Sequence, residues 1–173
     1  MLIIYLKADI IIPDGFKRSG RRREDIMEKY KVGYLAGVFD LFHIGHLNLI
    51  RRAKERCEYL IVGALSDELV YKFKDCMPYI PFEERKQILE AVRYVDKVVK
   101  VTEENHEKMK AWNLYHFDCL FSGDDYSGNP YWIEDQQSLQ KVGSNIEYFP
   151  YTKSTSSTMI KAAITKSLKN EDK

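Results

Sequence analysis

Oxidised cysteine, a membrane span and an excess of charge are all missing from this chain. Its 173 residues include three cysteines, Cys57, Cys76 and Cys119. They are widely spaced and make no Cys-x-x-Cys pair, which argues against a disulfide framework and for a reducing cytoplasm. All three are expected as buried thiols. No apolar run approaches the ~20 residues that cross a bilayer. Lys7 and Asp9 interrupt the opening Met1-Leu-Ile-Ile-Tyr-Leu, so no secretory leader is expected. With 27 Lys and Arg against 26 Asp and Glu, no global field draws the protein toward nucleic acid or an anionic membrane. Any anion chemistry must be local. The three arginines Arg21 to Arg23 are read as a solvated run.

The chain does have the length for one domain with a real core, but not for two ordinary ones. From residue 31 short apolar runs alternate with helix-period segments. The runs are Tyr34 to Gly37, Tyr59 to Leu65, Lys97 to Val101, Cys119 to Ser122 and Ile146 to Phe149. The helical segments are Leu47 to Cys57, Phe82 to Val92, Glu103 to Leu114, Ile133 to Val142 and Thr158 to Leu168. This alternation predicts a single α/β domain, a doubly wound parallel sheet covered on both faces. Residues 1–30 are set apart as an N-terminal extension, 31–165 as the domain and 166–173 as a frayed tail.

Ligands of such sheets bind beyond the carboxyl ends of the strands. Four segments are expected on that rim: Asp40 to His46, the loop Ser66 to Pro81, Gly123 to Pro130 and Tyr151 to Thr158. The first holds His43-Ile44-Gly45-His46, which follows an apolar run and opens a helix. There two imidazoles and free backbone N–H groups meet the positive end of a helix dipole, a setting suited to phosphate. Gly45, lacking a Cβ, would let a nucleotide lie against the backbone. No Cys or carboxylate stands at zincin spacing, and the only other histidines are His106 and His116, so no structural zinc site is expected. Ser156, Ser157 and Thr158 precede the last helix, where hydroxyls cap the helix and also seat phosphate.

Four elements in order resemble the cytidylyltransferases of the nucleotidyltransferase superfamily. Gly37-Val-Phe-Asp-Leu-Phe-His-Ile-Gly-His46 matches the first signature of that family. The stretch from Pro81 to Asp96 is similar to the region around its Arg-Tyr-Val-Asp element. Gly123-Asp-Asp-Tyr126 resembles a Gly-Asp-Asp-Trp segment of bacterial glycerol-3-phosphate cytidylyltransferases, and Thr155-Ser-Ser-Thr158 stands where the family has Ile-Ser-Thr-Thr.

The resemblance implies transfer of CMP from CTP to a phosphomonoester with release of pyrophosphate. Glycerol 3-phosphate is the leading acceptor; phosphocholine, phosphoethanolamine and a phosphonate are alternatives, as is an adenylyltransferase or a nucleotide-binding regulatory module. It also implies a homodimer and a Mg²⁺ ion bridging the CTP phosphates. His43, His46, Lys74 and Arg93 would be catalytic, with Lys74 bridging the two substrates' phosphates and Lys72 sharing that task. Val38, Phe39 and Gly45 would hold CTP together with Ser156, Ser157 and Thr158. Asp124, Asp125 and Tyr126 would lie near the base or the metal. Asp40, Tyr131 and Trp132 would face the acceptor, and Tyr126, Tyr131 and Trp132 could cage a quaternary ammonium. An arginine that touches phosphate in many relatives is replaced around Tyr151-Thr-Lys-Ser154, where Lys153 offers a substitute charge. Val38, Ser66 to Leu69, and Phe73-Lys74 lean toward choline-phosphate enzymes.

Overall fold

The computed structural model describes residues 29–152 and 154–171, so the 1–30 extension lies outside it except for its last two residues. Five strands form one sheet: β1 (Tyr30–Gly37), β2 (Cys57–Leu65), β3 (Lys97–Val101), β4 (Cys119–Gly123) and β5 (Asn145–Phe149). Their order is β3-β2-β1-β4-β5 and every pairing is parallel. The helices are α1 (Ile44–Arg56), α2 (Asp67–Lys74), α3 (Phe82–Glu90), α4 (Lys108–Tyr115), α5 (Pro130–Lys141) and α6 (Ser157–Glu171).

Period-two alternation explains why the apolar runs became doubly covered strands. Leu35, Leu60, Val62, Ala64, Cys119 and Phe121 enter one core with Ile50, Ala53, Phe82 and Leu89 of α1 and α3. Tyr34, Ile61, Leu120 and Ile146 enter the other with Ala111 and Leu139 of α4 and α5. The chain winds outward from β1 to β3, then crosses to β4, so the strand order reverses between β1 and β4. Loops part there, and a cleft opens at the carboxyl ends of the strands.

Three expectations need correction. Ser66 to Pro81 is not all loop: the Ser66 hydroxyl accepts from Leu69 N–H at 3.2 Å, Asp67 and Glu68 fill the first turn, and α2 follows. It ends at Asp75, which is left-handed with φ 51°. Cys57 and Cys119 are buried, but Cys76, just beyond that end, is exposed. Residues 166–171, read as tail, continue α6.

Candidate functional site

A cleft of about 370 Å³ lies at the strand-order reversal, floored by Ala36 to Phe39 from β1 and its following loop and by Phe121 to Gly123 of β4. His43, Gly45, His46, Lys74, Asp125, Tyr126, Ser156, Ser157 and Thr158 all line it. Imidazoles and the hydroxyl-rich turn, more than a hundred residues apart in sequence, therefore face one space.

The β1–α1 loop is held in a costly shape. Phe39 and Leu41 are both left-handed, with φ 55° and 50°, a conformation that costs a non-glycine residue on the order of 1–2 kcal/mol. Asp40 between them is 3 % exposed. Its carboxylate accepts from Tyr79 N–H at 3.1 Å and Ile80 N–H at 3.0 Å, and Lys161 Nζ lies 2.8 Å away. Burial raises the Asp40 carboxyl, but Lys161 and the two N–H donors outweigh it and hold it below its usual value. The Ser157 hydroxyl donates to the Asp40 carbonyl at 2.9 Å, which brings the start of α6 onto the same loop. Asp40 thus clamps three chain segments, and its carboxylate is already occupied by these donors.

His43 caps α1. Its Nδ1 accepts from Gly45 N–H at 3.0 Å, which in the neutral ring puts the proton on Nε2. The Gly45 N–H, expected free for a ligand, is therefore taken. A Cβ on Gly45 would sit 2.7 Å from His43 Cε1, so this glycine makes room for the ring as well as for a ligand. His46 stacks on His43 with ring centroids 4.0 Å apart and lies between Phe39 and Phe42. Burial pushes the His46 pKa down to about 4; His43 and Lys74 add to this, and Asp40 opposes it. Burial lowers His43 as well. At neutral pH both rings are uncharged N–H donors, and His46 Nδ1 is buried with no partner among the described residues.

A second chamber adjoins the cleft across His46, Gly37 and Phe39. Val70, Phe73, Lys74, Cys76, Pro78 and Lys161 line it, together with Asp40. Lys74 and His46 face both spaces.

Other expected residues fall elsewhere. Lys72 pairs with Glu103 on a different surface, along with Ser66 and Lys100. Arg93 sits in the turn after α3 over the Tyr94 ring, beside Ile44 and Leu47 in a surface depression outside the cleft. Asp124 is turned to the backbone, accepting from Tyr151 N–H at 3.0 Å. Tyr131 is 77 % exposed. Trp132 stacks on Tyr126 at 4.6 Å, and Lys108 Nζ stands 3.8 Å from its ring centroid. The indole already holds an internal cation, so the aromatic cage for a quaternary ammonium is not formed. Lys153 lies outside the described residues.

Three basic residues were not anticipated. Arg85 is fully buried: it donates to the carbonyls of Ile80, Val38 and Leu65 and pairs with Asp67 at 2.6 Å. It fastens the ends of β1 and β2 beneath the site. Arg52, three residues beyond Leu49 on the same helix face, lines the cleft and donates to the Pro150 carbonyl at 2.7 Å. Lys161 is the third.

Residues 34–163 match the family described as cytidylyltransferase-like. The chain belongs to that family. Glycerol-3-phosphate cytidylyltransferase of Bacillus subtilis is 38 % identical over 129 residues, covering 74 % of this chain and 92 % of that protein. Ethanolamine-phosphate cytidylyltransferase of Arabidopsis thaliana is 33 % identical over 166 residues, 92 % of this chain but 38 % of that larger protein. In three dimensions the cytidylyltransferase-like chain is similar to a lipopolysaccharide core biosynthesis protein of Thermoplasma volcanium, with a TM-score of 0.59 and 21 % identity over 73 % of this chain and 99 % of the other.

Proposed function

We propose that this protein transfers CMP from CTP to glycerol 3-phosphate, giving CDP-glycerol and pyrophosphate. The observation that carries this reading is the joining of two spaces at His46 and Lys74, which line both: one adds His43, Arg52 and the hydroxyls of Ser156 and Thr158, the other adds Lys161 beside Asp40. An oxygen of the acceptor phosphate attacks the α-phosphorus of CTP from the second chamber. The bond from that phosphorus to the bridging oxygen of the β-phosphoryl breaks, and pyrophosphate leaves on the cleft side. The nucleophile is already an anion, so no general base is needed. Catalysis consists of aligning two polyanions and stabilising the charge that builds on the transferring group. His43 Nε2–H and the His46 ring act as donors there, Ser156 to Thr158 hold the terminal phosphates, and Lys74 spans both substrates.

Among the described residues no three His, Cys, Asp or Glu side chains gather as a metal cage. A Mg²⁺ ion would arrive on the triphosphate, with Asp125 as the carboxylate lining the cleft, and would neutralise the leaving pyrophosphate. A CTP donor supports a cytoplasmic location. A homodimer through Arg93, Tyr94, Ile44 and Leu47 fits the family resemblance and the exposure of Ile44; a monomer mass in light scattering at micromolar concentration would refute it.

The occupied Trp132 ring disfavours an acceptor that ends in a quaternary ammonium. Phosphoethanolamine is the second reading, prompted by the Arabidopsis relative. Pyrophosphate release from CTP and from ATP, each offered glycerol 3-phosphate, phosphocholine and phosphoethanolamine, tests the assignment. Turnover fastest with CTP and glycerol 3-phosphate is expected; preference for an amino-alcohol phosphate, or for ATP, would overturn it.

A further inference from the structure

We infer that Lys161 is an acceptor-binding residue, the second cation that receives the acceptor's phosphate opposite Lys74; this rests on the reaction proposed above. The lysine stands on α6, within the element whose first residues line the CTP cleft, yet its ammonium reaches back into the neighbouring chamber. It is held there between the Asp40 carboxylate at 2.8 Å and the Tyr79 ring, 4.9 Å to the centroid.

Asp40 does not consume this cation. Its two oxygens already accept from Tyr79 and Ile80 N–H, and the carboxylate is buried whereas the Lys161 side chain stays 31 % exposed. An ammonium has three donors; one is directed at Asp40, which leaves others for the chamber. Among the described residues Asp40 is also the only carboxylate lining that chamber, against two lysines, and Lys74 makes no ion pair. Asp40 therefore acts as a positioning residue: it pins the lysine's head without neutralising the whole chamber.

The charge arithmetic of the reaction suits this arrangement. A phosphomonoester arrives as a dianion and can engage both lysines through charge-assisted hydrogen bonds. Once its oxygen has bonded to the α-phosphorus, that phosphoryl group carries one charge fewer, so the same pair holds product less tightly than substrate. The second lysine thus favours loading of the acceptor and release of the product.

The test is calorimetric binding of glycerol 3-phosphate and, separately, of CTP to the wild-type chain, Lys161→Met and Lys161→Arg. Lys161→Met is expected to weaken glycerol 3-phosphate about tenfold or more and CTP less than about twofold, with Lys161→Arg restoring most of the loss. If Lys161→Met lowers the melting temperature by more than about 10 °C, Lys161→Gln, which removes the charge but keeps a donor for the buried Asp40 carboxylate, is measured in its place with the same expectation. Unchanged glycerol 3-phosphate affinity, or parallel loss of both ligands, would overturn the inference. Failure of the wild type to release pyrophosphate from CTP bears on the proposed reaction instead, because the binding comparison needs no turnover.

Discussion

The cleft and the chamber share His46, Lys74 and Ser157; beyond these the cleft adds His43, Arg52 and the hydroxyls of Ser122, Thr152, Ser156 and Thr158, whereas the chamber adds the ammonium group of Lys161 against Val70 and Phe73. Hydroxyl donors rotate to follow charge as it moves along a triphosphate. Point charges reward the ligand with the greatest charge density. The two spaces therefore differ in what they add to the shared Lys74: the cleft a pattern of hydroxyl donors, and the chamber a second ammonium that reads charge.

The sharpest way to break this contrast is at its boundary. His46→Ala should lower kcat roughly 10²-fold or more, the scale for losing a donor that acts on the transition state, while CTP affinity changes less; near-normal steady-state turnover would remove the boundary role. Next comes the lysine comparison. Lys74→Ala should cost roughly 10- to 100-fold in kcat/KM for the acceptor, the range for a lost charge-assisted contact. Lys72→Ala, which breaks only an exposed pair with Glu103, should stay within about twofold. Equal effects in the two assays would show that the chamber does not read charge as argued. The smallest of the three is Gly45→Ala. The new methyl would strike the His43 ring, a movable side chain, so activity should fall about tenfold while the thermal midpoint shifts little. A large loss of stability with intact kcat would instead make Gly45 a purely structural glycine.

Much of this molecule was legible from its residues. Apolar β-formers in short runs, separated by helix-period segments, specified the parallel doubly wound sheet, and the sheet specified where a ligand would lie. His43, Gly45 and His46 and the Ser156 to Thr158 hydroxyls were visible because each is a local pattern. What remained hidden depends on contacts between distant segments. Arg85 sits in Glu83-Glu-Arg-Lys86, which reads as a solvated helix face; the carbonyls of Val38, Leu65 and Ile80 and the Asp67 carboxylate converging on it allow its burial. Asp40 looked available to a ligand because its backbone partners lie some 40 residues away. Lys72 could be taken to share the task of Lys74 as long as their segment was read as loop. Ser66 followed by Asp67 and Glu68 was the missed signal for a helix start, and on α2 residues two apart point about 200° from one another. That rotation sends one lysine to Glu103 and the other to the cleft.

The packing of His46 between two phenylalanines carries a cost in acid. In the unfolded chain its imidazole takes up a proton near pH 6.5, and in the folded protein only near 4. Inside that window the unfolded state binds the extra proton, so this contribution to stability is complete above pH 6.5, drains away as the medium is acidified, and is spent by about pH 4. It amounts to at most about 3 kcal/mol. Denaturant midpoints for the wild type should therefore decline across the interval more steeply than those of His46→Asn, whose amide has no such equilibrium; identical slopes would show that the ring is not held neutral. The same burial that fits the ring to donate a hydrogen bond thus makes the fold less tolerant of falling pH.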